Sequence, residues 1–145
     1  MSDKQQDVLA ILKLYELRRD EKMRAARKWF ITEFRPNSAM DIVQLLVSGA
    51  EASANFRMIT SYWDMAASFV LNGGIDEKLF LGANTEHVAI YCKLQPFLAE
   101  LRQIINEDDY LIHLEKLVSK IPNVDERLEK RRQLFERWAE SEGKR

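Results

Sequence analysis

The segment FRMITSYWDMAASFVLNGGID, residues 56–76, carries the pattern from which the fold class can be argued. Its apolar side chains recur at steps of three and four along two stripes, which together cover most of a helix circumference. The stripes are Phe56, Ile59, Trp63, Ala67 and Val70, and Met58, Tyr62, Met65 and Phe69. A helix that is apolar nearly all round is usually buried between other helices. The segment therefore predicts a central helix near residues 56–72.

The glycines that follow this helix indicate a reversal of the chain. Asn72, Gly73 and Gly74 fit a left-handed helix C-cap with Ile75 as its apolar contact, and Asp76 can cap the next short helix. A phosphate-binding loop would instead follow a strand and continue into Gly-Lys-Ser or Gly-Lys-Thr. An apolar helix precedes these glycines and no such tripeptide follows. We therefore interpret the segment as a helix reversal.

The flanking segments also have helical periodicity. No Gly or Pro occurs before Pro36, and apolar residues there predict one long helix over residues 4–34. The inward stripe of that helix is predicted to be Val8, Leu12, Tyr15, Arg19, Met23, Ala26, Phe30 and Phe34. A short helix should follow a Ser38 cap. Residues 85–105 predict a helix that Pro96 kinks near Cys92, and two more helices should begin near residues 110 and 123.

The composition agrees with a single helical domain. The 145 residues are 46% hydrophobic and 31% charged, with five glycines and three prolines, which favours a packed, helix-rich globule over a disordered or turn-rich chain. We expect one all-α domain over residues 1–145, a bundle of about six helices, with residues 140–145 frayed. The length suits one domain and leaves little for a second.

Charge and targeting signals exclude several classes of protein. The net charge of −1 indicates no general attraction to nucleic acid or acidic lipid. The N-terminus lacks the pattern of a secretory signal, and no window has the roughly 20 apolar residues that span a bilayer. Cys92 is the one cysteine, so an internal disulfide is impossible and a reducing compartment is expected. We predict a cytoplasmic protein without a membrane segment.

No residue pattern indicates a catalytic or metal site. His87 and Cys92 would lie about 140° apart on a helix, and His113 stands alone, so no converging ligand set is evident. Cys92 has no adjacent base of the kind that a nucleophile needs. We expect no enzyme activity, no metal and no cofactor.

Two hypotheses concern polar and aromatic residues in the predicted core. Asp64 lies on the central helix, so if buried it needs a partner, and Arg102 or Arg57 could form an ion pair with it. The alternative is that Asp64 faces solvent. Aromatic side chains could also line a pocket for a small molecule, with Asp64 or Arg102 as polar anchor. The candidate lining residues are Tyr62, Trp63, Phe69, Tyr91 and Phe97.

The face of the first helix opposite its apolar stripe is basic. It carries Lys13, Arg24, Arg27, Lys28 and Arg35. These side chains could contact phosphates, but Asp20 shares the face, no nucleic-acid reading motif is present, and the net charge is slightly negative. A solvated surface is therefore favoured over a nucleic-acid interface.

The region from Phe56 to Arg102 resembles a known family. Its motifs are WDxAxxFVxxGGIDEKLF from residue 63 and LQPFLAELR from residue 94. They resemble the uncharacterised bacterial family called domain of unknown function 4760, and the leading helix is also similar. The positions that match the family pattern are Asp64, Gly74, Ile75, Asp76, Pro96 and Arg102. The chain departs from it in having Asp64 where glutamate is expected and in lacking the N-terminal membrane helix of some relatives. The resemblance implies a helical fold and no particular reaction.

The leading functional hypothesis is association with another protein or with a second copy of the chain. The first helix and the last helix, which bears Trp138, are the expected contact surfaces. The alternatives are the small-molecule pocket and, more weakly, nucleic-acid binding through the basic face.

Overall fold

The structure is a computed structural model that describes residues 3–143, with side chains up to residue 139. This part of the chain forms eight helices and no strand, so the predicted all-α class is confirmed. The helices are α1 (Asp3–Arg18), α2 (Glu21–Thr32), α3 (Ala39–Val47), α4 (Glu51–Leu71), α5 (Glu77–Ala83), α6 (Glu86–Ile105), α7 (Ile112–Ser119) and α8 (Val124–Gly143). The expected fraying of residues 140–145 lies partly outside the described residues, and within them α8 continues to Gly143.

Helix α4 is the centre of the bundle. It packs against α2, α3, α5 and α7, while α6 packs against α3, α7 and α8. The first stripe predicted for α4 is buried along its whole length, from Phe56 through Trp63 to Val70. Helix α6 has nearly the predicted bounds and continues through Pro96. Among the described helices, none is both long enough and apolar enough to cross a bilayer.

The prediction of a single long helix over residues 4–34 is wrong, because the chain bends at Arg19 and Asp20. Asp20 has φ −53° and ψ 141°, and its carboxylate accepts hydrogen bonds from the backbone N–H groups of Lys22 and Met23 at 3.1 and 3.3 Å. An aspartate that accepts from the second and third residues after it is an N-cap. The absence of Gly and Pro therefore did not prevent a break, since a capping side chain was sufficient.

This break also changes which residues of α1 face the core. The predicted stripe is correct in α2 and beyond, where Met23, Ala26, Phe30 and Phe34 are buried. It is wrong in α1, where Val8, Leu12 and Tyr15 are exposed and Ile11, Leu14 and Arg18 face inward instead. The reason is that α1 and α2 are separate helices, so residues spaced by three and four across the break at Asp20 no longer lie on the same side.

Helix α4 ends in a Schellman motif. The N–H of Gly74 donates to the carbonyl of Phe69 at 2.8 Å, and the N–H of Gly73 donates to Val70 at 3.1 Å. Gly73 has φ +80°, a left-handed conformation that glycine adopts without strain. Asp76 then caps α5 by accepting from the N–H of Leu79 at 2.9 Å. The reversal places α5 where α1 can pack on it.

Gly73→Ala should destabilise the protein by about 1 kcal/mol, because a Cβ disfavours the left-handed conformation. Gly82 is the matched control, since it lies inside α5 with nothing within 4 Å of an added Cβ and no positive φ. Gly82→Ala should be neutral or stabilising by up to about 1 kcal/mol because alanine favours a helix. Urea denaturation followed by circular dichroism measures both. Equal effects of the two substitutions would contradict the proposed role of Gly73.

Candidate functional site

The outward face of α1 is an exposed apolar surface. We call this surface, formed by Val8, Leu9, Leu12 and Tyr15, the α1 face; these side chains are 44, 51, 51 and 48% exposed. Val8, Leu12 and Tyr15 are spaced by four and three residues, so they lie on one side of the helix, with Leu9 at its border. Four large apolar side chains exposed together on one helix are unusual for a surface with no partner.

The inner side of α1 is held by specific contacts. Leu14 is buried, and its carbonyl accepts a hydrogen bond of 2.6 Å from the Tyr62 hydroxyl. At the other end of the helix, the Asp7 carboxylate accepts from the N–H of Asp76 at 3.0 Å. Burial raises the pKa of Tyr62 to about 12, so its hydroxyl remains a donor at neutral pH. These two anchors fix the rotation of α1 and therefore keep the α1 face outward.

The second surface predicted for association, around Trp138 on α8, is also exposed. Trp138 is 48% exposed and lies edge-to-face with Phe135, with ring centroids 5.8 Å apart. Phe135 in turn lines a cavity of about 360 Å³ between the end of α2, α6 and α8. Phe97 and Pro96 of α6 line the same cavity. The mostly apolar lining could accept a nonpolar group.

Three cationic side chains line this cavity, and Lys93 among them donates three hydrogen bonds to the backbone. The ammonium group of Lys93 donates to the carbonyls of Phe30, Ile31 and Phe34 at 2.7, 2.9 and 2.9 Å. Burial, reinforced by the charge of Arg35, lowers the pKa of Lys93 to about 8. The three hydrogen bonds satisfy two carbonyls of the last turn of α2 and one just beyond the helix, so Lys93 has a structural role at the C-terminus of α2.

The predicted Asp64–Arg102 ion pair is replaced by two separate contacts with α7. Asp64 accepts from the N–H of Leu114 at 3.0 Å and lies 3.2 Å from the His113 Nδ1. Arg102 lies 3.0 Å from the Glu115 carboxylate. Helix α7 packs on both α4 and α6, so each charged group finds its partner there.

The other proposed partner of Asp64 also points elsewhere. Arg57 donates to the carbonyl of Leu46 at 2.8 Å and to the Ser53 hydroxyl at 3.3 Å. These contacts join the start of α4 to the end of α3. Arg57 is therefore a link between two consecutive helices.

The five aromatic residues predicted to line one pocket do not come together around a cavity. Trp63 is fully buried and lies against Tyr62, Phe80 and His87, with ring centroids 4.9, 6.4 and 5.7 Å apart. Phe69 is 45% exposed on the opposite part of α4, and Phe97 lines the α2–α6–α8 cavity. Tyr91 is buried and its hydroxyl lies 3.3 Å from Glu115. Close packing around Trp63 fills the volume that the hypothesis required.

The residues considered for metal binding and catalysis lie apart. Cys92 is buried, its Sγ donates to the carbonyl of Leu128 at 3.2 Å, and burial raises its pKa. His87 is 1% exposed, and burial, with a smaller effect of Arg131, lowers its pKa to about 4. Within residues 3–139, no group of three or more His, Cys, Asp and Glu side chains is arranged to hold a metal ion.

The basic residues predicted to share one helix face are divided among three places. Lys13 on α1 lies 3.7 Å from Glu16, and Arg27 on α2 lies 2.9 Å from Glu86 of α6. Arg35 lines the α2–α6–α8 cavity. The break at Asp20 turns α1 away from the line of α2, so the predicted continuous basic stripe does not form. Asp20 is one of the residue types favoured at a helix N-cap, and this is the sequence signal that could have shown the break.

The comparisons with known proteins agree with the resemblance seen in the sequence. No curated protein and no solved structure matches the chain significantly. A family described as domain of unknown function (DUF4760) matches residues 5–121, which include nearly all of α1 and the whole of α2 to α7. Helix α8 lies beyond the matched residues. Because the match covers most of the chain, the protein belongs to the DUF4760 family.

Proposed function

We propose that the domain is a non-enzymatic binding module that self-associates through the α1 face. The observation that supports this is the exposure of Val8, Leu9, Leu12 and Tyr15 on a helix whose opposite side is anchored to the bundle. Burying such a surface against a partner removes apolar area from water, which favours association. The binding role is also consistent with the buried positions of Cys92 and His87.

Charge complementarity supports a second copy of the chain as the occupant. In an antiparallel pair of α1 helices centred near residue 10, Val8 of each copy faces Leu12 of the other. The same symmetry places Lys4 of each copy opposite Glu16 of the other. A two-fold interface of this kind repeats each contact, so both ends of the helix pair gain an opposite-charge contact.

The size of the surface predicts a weak dimer. Burying the exposed half of a side chain of this size contributes about 1 kcal/mol. Association costs roughly 4–15 kcal/mol in lost translational and rotational freedom, which is of the same order as the total from four such side chains of each copy. We therefore expect a dimer whose population depends on concentration.

Leu12→Glu should weaken dimerisation at least about tenfold, because a carboxylate would face Val8 of the second copy. Sedimentation velocity over a range of protein concentrations measures this. Val47→Glu is the matched control: Val47 ends α3, is 77% exposed and receives the same change of charge. It should leave the dimer unchanged.

The same measurement tests the orientation of the helices. Glu16→Lys should weaken the dimer, and adding Lys4→Glu should restore it if the two positions face each other. A monomer at every concentration in the wild-type protein, or equal losses from Leu12→Glu and Val47→Glu, would overturn self-association through the α1 face.

A further inference from the structure

A cavity of about 350 Å³ at the junction of α1 and α2 is lined almost wholly by arginine. Its lining residues are Tyr15, Arg18, Arg19, Arg24 and Arg27. Like charges repel each other, so four guanidinium groups close together destabilise the fold unless negative charge compensates them. We call this cavity the arginine pocket.

Three of the arginines contact neighbouring groups, and the exposed Arg19 does so through the ring of Tyr15, whose centroid lies 5.6 Å from its guanidinium. The Arg27 Nε lies 2.9 and 3.0 Å from the two carboxylate oxygens of Glu86, and its Nη1 donates to the carbonyl of Arg18 at 3.4 Å. The Arg18 guanidinium lies over the rings of Trp63 and Tyr15, at 5.3 and 5.7 Å from their centroids. The guanidinium groups of Arg27 and Arg18 are therefore positioned before any ligand arrives.

The charges in the pocket are only partly compensated. Glu86 contacts Arg27 and lies 3.7 Å from the Arg18 Nη1. Among residues 3–139, no carboxylate forms an ion pair with Arg19 or Arg24, which leaves a surplus of positive charge. The buried Nε of Arg18 also has no hydrogen-bond partner there. A buried N–H without an acceptor is costly, so the protein alone does not satisfy every donor of this guanidinium group.

We infer that the arginine pocket binds a compact phosphate-bearing anion, of which a diphosphate group is the simplest example. The planar guanidinium fork donates two parallel hydrogen bonds to phosphate oxygens, and several forks around one cavity suit a multiply charged group. A compact ligand is favoured over nucleic acid because the basic groups converge on one cavity in a chain whose net charge is −1.

Isothermal titration calorimetry with inorganic pyrophosphate at low ionic strength tests this assignment. We expect one site per chain, with Arg24→Gln and Arg19→Gln each weakening binding about tenfold, as expected for loss of a charged hydrogen bond. These variants should fold normally, because both side chains are exposed and neither forms an ion pair with another residue within 3–139. Lys28→Gln is the matched control, since Lys28 is an exposed cation on α2 outside the cavity. It should bind pyrophosphate as the wild type does.

The possible sources of the phosphate are separated by further arms of the same experiment. Co-sedimentation with vesicles containing phosphatidylinositol bisphosphate that is lost in Arg24→Gln would identify a lipid headgroup as the source. Pyrophosphate binding without such co-sedimentation would identify a free ligand. Leu12→Glu should leave pyrophosphate binding intact, so failure of the dimer and failure of the pocket are distinguishable.

Three results would overturn the inference. The first is the absence of pyrophosphate binding by the wild-type protein. The second is an equal loss in Lys28→Gln, which would indicate general charge attraction. The third is binding of an oligonucleotide that survives Arg24→Gln, which would indicate an extended nucleic-acid surface in place of the arginine pocket.

Discussion

Trp63→Ala should lower the free energy of unfolding by about 3 to 5 kcal/mol, the range observed when a large aromatic side chain is removed from a core. Trp63 is fully buried at the centre of α4. Its ring lies edge-to-face with Tyr62 and Phe80, at centroid distances of 4.9 and 6.4 Å, and tilted on His87. Alanine would leave a cavity between α1, α4, α5 and α6 that these rings cannot refill without moving their helices.

Trp138→Ala is the matched control for this substitution. Trp138 is 48% exposed on α8 and keeps only its contact with Phe135 among the aromatic rings described. Its removal should cost less than about 1 kcal/mol. Urea denaturation followed by far-ultraviolet circular dichroism avoids relying on tryptophan fluorescence. Similar losses for the two variants would contradict the central position of Trp63.

Acidification from pH 7 to pH 4 should cost about 3 kcal/mol through His87 alone. Burial, with a smaller effect of Arg131, lowers the pKa of His87 in the folded protein from 6.5 to about 4. The unfolded chain therefore binds a proton below about pH 6.5 that the native protein does not bind until about pH 4. The contribution of His87 to the free energy of unfolding is complete above about pH 6.5 and decreases as the pH falls toward 4. Below about pH 4 this contribution does not decrease further.

His87→Phe isolates this contribution, because phenylalanine keeps an aromatic ring beside Trp63 and does not titrate. The stability difference between the variant and the wild type should shift by about 3 kcal/mol in favour of the variant between pH 7 and pH 4. Arg131→Gln should reduce the effect only partly, since burial is the larger cause. A difference that stays constant with pH would show that His87 is protonated equally in both states.

The predicted acid sensitivity of His87 depends on packing that helix periodicity did not reveal. Both ring nitrogens of His87 lack a hydrogen-bond partner among the described residues. The ring instead contacts Trp63 and Phe80, whose centroids lie 5.7 and 5.3 Å away. His87 lies four residues after the end of α5 in the sequence. This position does not predict that α4, α5 and α8 pack around the imidazole ring.

Helix formation itself was largely predictable. The two apolar stripes of α4, the glycines after it and the Ser38 cap of α3 are local signals, because helix hydrogen bonds and caps join residues three to four apart. The same locality explains why the reversal at Asn72 to Gly74 could be proposed from the order of residues alone. The break at Asp20 has an equally local signal, a capping aspartate, whereas the apolar stripe and the lack of Gly and Pro predicted one continuous helix.

The polar partners could not be predicted in the same way. Asp64 on α4 and Arg102 on α6 both contact α7, which follows them in the chain and packs on both helices. Charge and burial required a partner for Asp64 but did not specify which one. The choice depended on how a later helix docks.

The sequence by itself determined the all-α class, the central α4 and the glycine reversal, because periodicity, caps and turns act over a few residues. The tertiary structure alone decided that the α1 face points outward and that four arginines surround one pocket. The contacts responsible span long stretches of chain: Tyr62 with Leu14 at a separation of 48 residues and Arg27 with Glu86 at 59. Such pairings depend on the packing of the whole bundle, and they determine which surfaces remain for binding.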